Sequence, residues 1–181
     1  RLDANASLNL ETTENWLRAV ANFNLDIRNK PVNIEFFEQP MAVGYELEME
    51  RLSKKYGIAI ALDESLNGPK GSQWYQPKAW RGPLVIKPCL HGSFDSLISV
   101  VTALGSRCVL SSSFETIVGL KNALQLAAIQ KSQIDNKDFM YAIGFDTQNL
   151  FEDPFGIDIS NTKYGLEEIN LAVQRSMPHV F

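Results

Sequence analysis

Ile58-Ala59-Ile60-Ala61-Leu62-Asp63 is a run of five apolar residues closed by a carboxylate. Short and apolar on both faces, it predicts a parallel strand covered from both sides, with Asp63 at its C-terminal end. The same arrangement recurs along the chain. Val32–Phe37 precedes Glu38, Leu84–Ile86 precedes Lys87, Cys108–Leu110 precedes Ser111, and Tyr141–Phe145 precedes Asp146. Leu2 before Asp3 reads as the tail of a sixth strand. Helical spacing fills the intervals. Thr13–Phe23 sets Trp16, Leu17, Val20 and Phe23 on one face, and Gly44–Tyr56 groups Leu47, Met49 and Leu52. Phe94–Leu104 and Val118–Ile129 follow the same period. Alternating strand and helix predict an α/β fold of parallel crossover units, taken as one domain over residues 1–181.

The polar residues after the strands keep a rhythm. From Asp3 through Glu38, Asp63, Lys87 and Ser111 to Asp146 the intervals are 35, 25, 24, 24 and 35 residues. A TIM-type barrel uses about 31 residues per unit and carries its chemistry at the C-terminal strand ends. Six units match; either two strands are missing or the sheet is open.

Composition narrows the function. With 17 basic and 21 acidic side chains the formal charge is −4, and 45% of residues are hydrophobic. That profile offers no electrostatic footprint for nucleic acid or an anionic membrane, and the expected partner is a small molecule. Cys89 and Cys108 form no zinc or redox motif and are expected to be reduced and buried. No apolar stretch reaches the roughly 18 residues of a membrane span, and no signal peptide is evident, so a cytoplasmic location is expected. The chain opens on Arg1 without an initiating Met, and further residues are expected upstream.

In a closed barrel, Asp3, Glu38 and Asp63 would form three neighbouring carboxylates. Three anions at close quarters repel one another unless a cation joins them. An oxygen-only donor set, without His or Cys, selects a hard ion such as Mg²⁺. Lys87, on the next strand, would face that ion. A dication and partial desolvation both disfavour an ammonium, and a lysine so lowered can act as a base. A metal opposite a lysine suits removal of a proton next to a carboxylate, because the ion neutralises the charge that develops on oxygen.

Each residue also has a simpler role. Asp3 or Asp63 could cap the following helix, Lys87 could carry its ammonium to solvent, and Ser111–Ser113 could form a turn. Joint placement at one end of consecutive strands favours the site. His91 and His179 have no partner at metal or triad spacing. Asn67–Ser72 lacks the ending of a phosphate loop, and no G-x-G-x-x-G follows a strand. Trp74, Tyr75 and Trp80 are expected to pack beneath a loop.

Six segments in order carry a resemblance: Arg1-Leu2-Asp3-Ala4-Asn5, Phe37-Glu38-Gln39-Pro40, Leu62-Asp63-Glu64-Ser65, Val85-Ile86-Lys87-Pro88, Ser111-Ser112-Ser113 and Gly144-Phe145-Asp146-Thr147. To about position 150 the chain resembles the o-succinylbenzoate synthase family, in the muconate-lactonising-enzyme-like part of the enolase superfamily. The resemblance implies a capping domain plus a (β/α)7β barrel, and a Mg²⁺-dependent lyase of menaquinone or phylloquinone synthesis. That lyase dehydrates 2-succinyl-6-hydroxy-2,4-cyclohexadiene-1-carboxylate to o-succinylbenzoate. It further implies Asp3, Glu38 and Asp63 as metal ligands, and Lys87 as acid/base or as a cation over the substrate ring. Asn5, Ser111, Ser112, Ser113 and the Gly144 backbone would line the substrate pocket. Gln39 stands where relatives commonly carry a second glutamate.

The family's other catalytic lysine lies in a Lys-x-Lys motif, and none occurs in these 181 residues. The chain is therefore expected to be a partial barrel lacking the first strands and the N-terminal capping domain, and to be inactive alone. Two other readings remain. A dipeptide epimerase or N-acylamino acid racemase uses the same framework, but the epimerases' Asp-x-Asp on the last strand is absent, since Gly144–Gln148 offers only Asp146. A non-catalytic barrel would be marked by loss of the metal carboxylates, and all three are present.

Overall fold

The computed structural model describes residues 1–25, 34–76, 78–115, 117–133 and 141–144. The chain divides into two compact units, Arg1–Val85 and Ile86–Phe181.

In the first unit, strand β1 (Leu2–Asp3), helix α1 (Leu10–Leu25), strand β2 (Phe36–Glu38), helix α2 (Glu46–Tyr56) and strand β3 (Ala59–Ala61) follow one another. The three strands form a parallel sheet in the order β1-β2-β3. Asp3 is the register partner of Glu38, and Glu38 of Ala61. Leu62 bridges in parallel to Leu84, the first residue of β4 (Leu84–Ile86). Parallel pairing with helical crossovers is what runs apolar on both faces predict, and Phe36, Ile60 and Leu84 are fully buried. Each such side chain contributes about 1.5–3 kcal/mol relative to exposure.

The helices start and stop for local reasons. Asn9 Oδ1 accepts the Thr12 N–H (2.8 Å), which starts α1 three residues earlier than its apolar period suggests. Gly57 ends α2 in the left-handed conformation (φ 65°), and its N–H donates to the Ser53 carbonyl. Tyr56 donates its hydroxyl to Glu14 Oε1 (2.9 Å) and Lys55 pairs with the same carboxylate, fixing α2 to α1. Gln39, Glu46 and Ser65 are buried polar residues of this unit. Trp80 is buried and meets Trp74 edge-on at 6.5 Å between ring centroids, the packing expected of that aromatic group.

In the second unit, helix α3 (Phe94–Leu104), strand β5 (Cys108–Leu110) and helix α4 (Ile117–Gln133) follow the end of β4. Ser93 caps α3 by accepting the Ser96 N–H (3.3 Å). Leu120, Ala123, Leu126 and Gln130 make the buried face of α4, at the three- and four-residue steps of a helix. Gln130 Nε2 donates to the carbonyls of Gly105 (3.0 Å) and Cys108 (2.9 Å), holding the loop that enters β5.

Several expectations need correction. Trp16 is 48% exposed although Leu17 and Val20 beside it are buried, and Leu47 is 76% exposed while Met49 and Leu52 are buried. Leu47 lies two residues, about 200°, from Met49 around the helix, so one core face cannot take both. Of the Val32–Phe37 run, Phe36 and Phe37 lie in β2, which extends to Glu38, and Val32 and Asn33 lie outside the described residues. Cys89 is exposed; Cys108 is buried, and burial pushes its thiol up to about 12. Tyr141–Gly144 forms no strand of its own but bridges to Ser111 through Gly144, and Phe145 lies outside the described residues. Asp146, Thr147, His179 and residues 150–181 also lie outside them. No helix among the described residues is long and apolar enough to cross a membrane.

Candidate metal and active site

The first unit carries the three acidic candidates at the C-terminal ends of neighbouring parallel strands. Asp3 ends β1, Glu38 ends β2, and Asp63 follows β3 by two residues. Adjacent strands lie about 4.8 Å apart, so this order sets the carboxylates on one rim of the sheet. Their environments differ. Asp3 is exposed, Glu38 is partly buried, and Asp63 is buried at 1% exposure. Neither aspartate caps a helix: Asp63 precedes the 3₁₀ turn Glu64–Leu66 without accepting a capping bond from it, and α1 is capped by Asn9.

The rim is tightly tied. Beyond β1 and β2 the two loops run side by side, with the N–H of Ala4 donating to Glu38 O (3.3 Å), of Ala6 to Gln39 O (2.7 Å) and of Leu8 to Pro40 O (2.9 Å). Asn5 (φ 47°), Ala6 (φ 57°) and Gln39 (φ 28°) are the non-glycine residues with positive φ among those described. Gln39 directly follows Glu38, and Asn5 and Ala6 lie two and three residues after Asp3. Left-handed backbone at non-glycine positions costs about 1–3 kcal/mol each and concentrates where function demands it.

The strand order collects these residues, but the side chains are not gathered. Among the described residues, no three His, Cys, Asp or Glu groups are placed to hold a metal ion. Asp3 Oδ1 is turned onto its own loop, where it accepts the Asn5 N–H at 2.8 Å. Moving it to a shared ion would cost one exposed hydrogen bond, about 0.5–1.5 kcal/mol. That is small against the attraction of a dication for three carboxylates, and the oxygen-only set fits a hard cation. Asn5 itself is exposed beside this turn.

Sequence reasoning passed over the groups beneath the rim. Gln39 is fully buried, and its carboxamide has four partners: Oε1 accepts the N–H of Asp63 (3.0 Å) and of Ser65 (3.3 Å), while Nε2 donates to Met41 O (3.0 Å) and Ser65 Oγ (2.8 Å). The Ser65 hydroxyl donates in turn to Glu46 Oε1 (2.7 Å), and Glu46 accepts the Gly44 N–H. The signal was present in the Glu38-Gln39 and Asp63-Glu64-Ser65 segments; the partnership across 26 residues was not.

In the second unit Lys87 is partly buried directly after β4 and precedes Pro88, the first residue of a short 3₁₀ turn. The serine run follows β5. Ser111 N–H donates to Ile86 O (3.0 Å), and Ser112 N–H to Gly144 O (2.8 Å). The hydroxyls of Ser111 (3.1 Å) and Ser112 (3.3 Å) also point to Gly144 O. Gly144 N–H donates to Leu110 O (2.9 Å). Both backbone groups of Gly144 are thus engaged with β5 and its extension, and a Cβ there would sit 3.2 Å from Ser111 Oγ. Ser113 is partly buried; its hydroxyl lies 2.8 Å from Cys89 Sγ, and its N–H donates to Glu115 Oε1.

No family model matches the chain. Among curated proteins, the o-succinylbenzoate synthase of Haemophilus influenzae is 34% identical over 159 residues, covering 84% of this chain and 42% of the relative. That of Escherichia coli O127:H6 is 34% identical over 131 residues, covering 71% and 38%. The chain therefore spans about two fifths of the length of these relatives. The solved o-succinylbenzoate synthase of Thermosynechococcus elongatus, with Mg in its active site, superposes with a TM-score of 0.60 at 29% identity, over 80% of this chain and 42% of that one. A dipeptide epimerase of Cytophaga hutchinsonii, complexed with Mg and D-Ala-L-Val, gives 0.62 at 21% identity over 84% and 38%, a likeness of fold alone. Over most of its length this chain is a homologue of one part of the o-succinylbenzoate synthases, within the enolase superfamily.

Proposed function

We propose that the chain supplies the Mg²⁺-binding and lysine-bearing part of an o-succinylbenzoate synthase built as a (β/α)7β barrel. The observation that carries this reading is the placement of Asp3, Glu38 and Asp63 at the ends of three neighbouring parallel strands, in a chain 34% identical to enzymes of that name. Asp3, Glu38 and Asp63 are the residues to hold the ion. When bound, a divalent cation supplies positive charge at the substrate carboxylate, where negative charge accumulates as the adjacent proton leaves.

Lys87 contributes an ammonium or amine at the strand end. As base it takes the proton next to the carboxylate; as cation it lies against the ring and stabilises the charge formed. With Lys87 as base, the ammonium formed gives the proton to the departing ring hydroxyl, which leaves as water; with Lys87 as cation, another basic group would take the proton and pass it on. Either way the reaction needs no oxidant or reductant. Asn5 and Ser111–Ser113 are the polar groups to contact the substrate. The carboxylate-bearing substrate, the location in the cytoplasm and the place in quinone synthesis belong to the same reading.

Calorimetric titration of the chain with o-succinylbenzoate, with and without Mg²⁺, tests it. The expected result is Mg²⁺-dependent binding that weakens at least tenfold in Asp63→Asn and in Lys87→Ala. Binding indifferent to Mg²⁺, or tighter binding of an N-acylamino acid or a dipeptide, would overturn the assignment, the latter in favour of a racemase or epimerase.

A further inference from the structure

The fully buried Gln39 is not itself a candidate ligand, yet it touches the backbone of one. Its amide orientation is fixed by its surroundings, because the oxygen meets two N–H donors and the nitrogen meets a carbonyl. Nε2 also donates to Ser65 Oγ, and that hydroxyl passes its own proton toward Glu46, so the chain of donors runs in one direction: Gln39 to Ser65 to Glu46. Glu46 opens α2 and is 6% exposed, and its carboxylate also receives the Gly44 N–H. The relay therefore links three places: the residue after Glu38, the backbone of Asp63 and the first turn of α2.

We infer that Gln39 is a positioning residue, whose carboxamide, oriented through Ser65 by Glu46, fixes the backbone from which Asp63 presents its carboxylate to a divalent cation. This rests on the metal site proposed above. The backbone of Gln39 is left-handed (φ 28°), an unfavourable conformation for a side chain. Four hydrogen bonds from one buried amide are what hold it there. With Met41 O, Ser65 and Glu46 as its surroundings in this chain, the position suits an amide better than the carboxylate its relatives commonly carry. A carboxylate could still accept from Asp63 and Ser65, but could donate to neither Met41 O nor Ser65 Oγ. It would also stand across one hydroxyl from the Glu46 carboxylate, and that hydroxyl has a single proton to give.

The test uses the full chain with Mn²⁺ as probe, free ion being counted by electron paramagnetic resonance, and hydrogen exchange of the Asp63 amide as an independent reading. All measurements are made well below the melting temperature of the weakest variant. Gln39→Glu is expected to weaken Mn²⁺ binding about 10–100-fold, the usual effect of removing a partner that orients a ligand. Although a carboxylate can still accept the Asp63 N–H, loss of the two bonds that anchor the side chain to Met41 O and Ser65 Oγ is also expected to speed exchange at that amide. In Gln39→Glu/Glu46→Gln the donor chain can run in reverse, from the new amide at position 46 through Ser65, and at least part of the affinity and protection is expected to return. A merely structural role would lower the melting temperature without the selective change at Asp63 and without this reversal. Wild-type affinity and exchange in Gln39→Glu, or a double variant no better than the single, would overturn the inference. Should the wild-type chain bind no Mn²⁺, the metal reading fails, and the positioning of the Asp63 backbone is then judged by amide exchange alone.

Discussion

Gln130→Leu tests how β5, which ends at the serine run, is held in place. Gln130 is 2% exposed and donates to two backbone carbonyls, that of Cys108 in a buried bond and that of Gly105 in a partly buried one. Leucine has similar volume, so little packing is lost and the cost is mainly that of leaving two acceptors without their donor. The buried carbonyl contributes about 1–3 kcal/mol of that cost and the partly buried one about 0.5–1.5, giving roughly 2–4 kcal/mol. The readout is the midpoint of urea denaturation together with thiol labelling mapped by peptide mass. Cys108 is 1% exposed and its thiol is pushed up to about 12, so it reacts only when the segment opens, whereas Cys89 is exposed in the native state. At 1.4 kcal/mol per tenfold, labelling of Cys108 is expected to accelerate roughly thirty- to several-hundred-fold, with Cys89 little changed. A midpoint and a Cys108 rate within twofold of wild type would show that Gln130 does not anchor this strand.

Two further outcomes follow from single contacts. In Gly82→Ala the new Cβ would clash with Ile60 O and lie 2.7 Å from Trp80 Nε1, so a loss of about 1–3 kcal/mol is expected, read as a lower melting temperature; an unchanged value would contradict the contact. The hydrogen bonds between Glu14 and both Lys55 and Tyr56 hold the Glu14 carboxyl below its usual range and the Lys55 ammonium above its own. Their contribution to stability is thus present across neutral pH. It is lost as pH falls through the lowered value of Glu14, and again as pH rises through the raised value of Lys55. The melting-temperature gap between wild type and Glu14→Gln is expected to be flat near neutrality and to close in acid; a gap widening in acid would reverse the sign.

What could be read from the chain was whatever periodicity and local chemistry determine. The apolar runs Leu84–Ile86 and Cys108–Leu110 coincide with β4 and β5, and Phe94–Leu104 with α3, because each is bounded by residues that stop its element. Asp3 and Glu38 are the last residues of β1 and β2, and Asp63 lies two beyond the end of β3, so an apolar run closed by a carboxylate locates the strand end to within two residues. Side-chain direction was not so determined. Asp3 turns onto the Asn5 N–H of its own loop and Trp16 faces solvent, whereas the exposure of Leu47 follows from its place about 200° from Met49 around α2. Gln39 is the clearest case. One residue after Glu38, it bonds to Ser65, which lies 26 positions away, and no spacing rule announces such a partnership.

The central claim is that three strand-end carboxylates share one ion, and the most direct measurement is the broadening of backbone amide signals by substoichiometric Mn²⁺. The expected result is simultaneous broadening at residues 3–5, 38–39 and 63–64, abolished together by Asp63→Asn and displaced by excess Mg²⁺. Broadening at only one of these segments, or at acidic residues elsewhere on the surface with these unaffected, would contradict it.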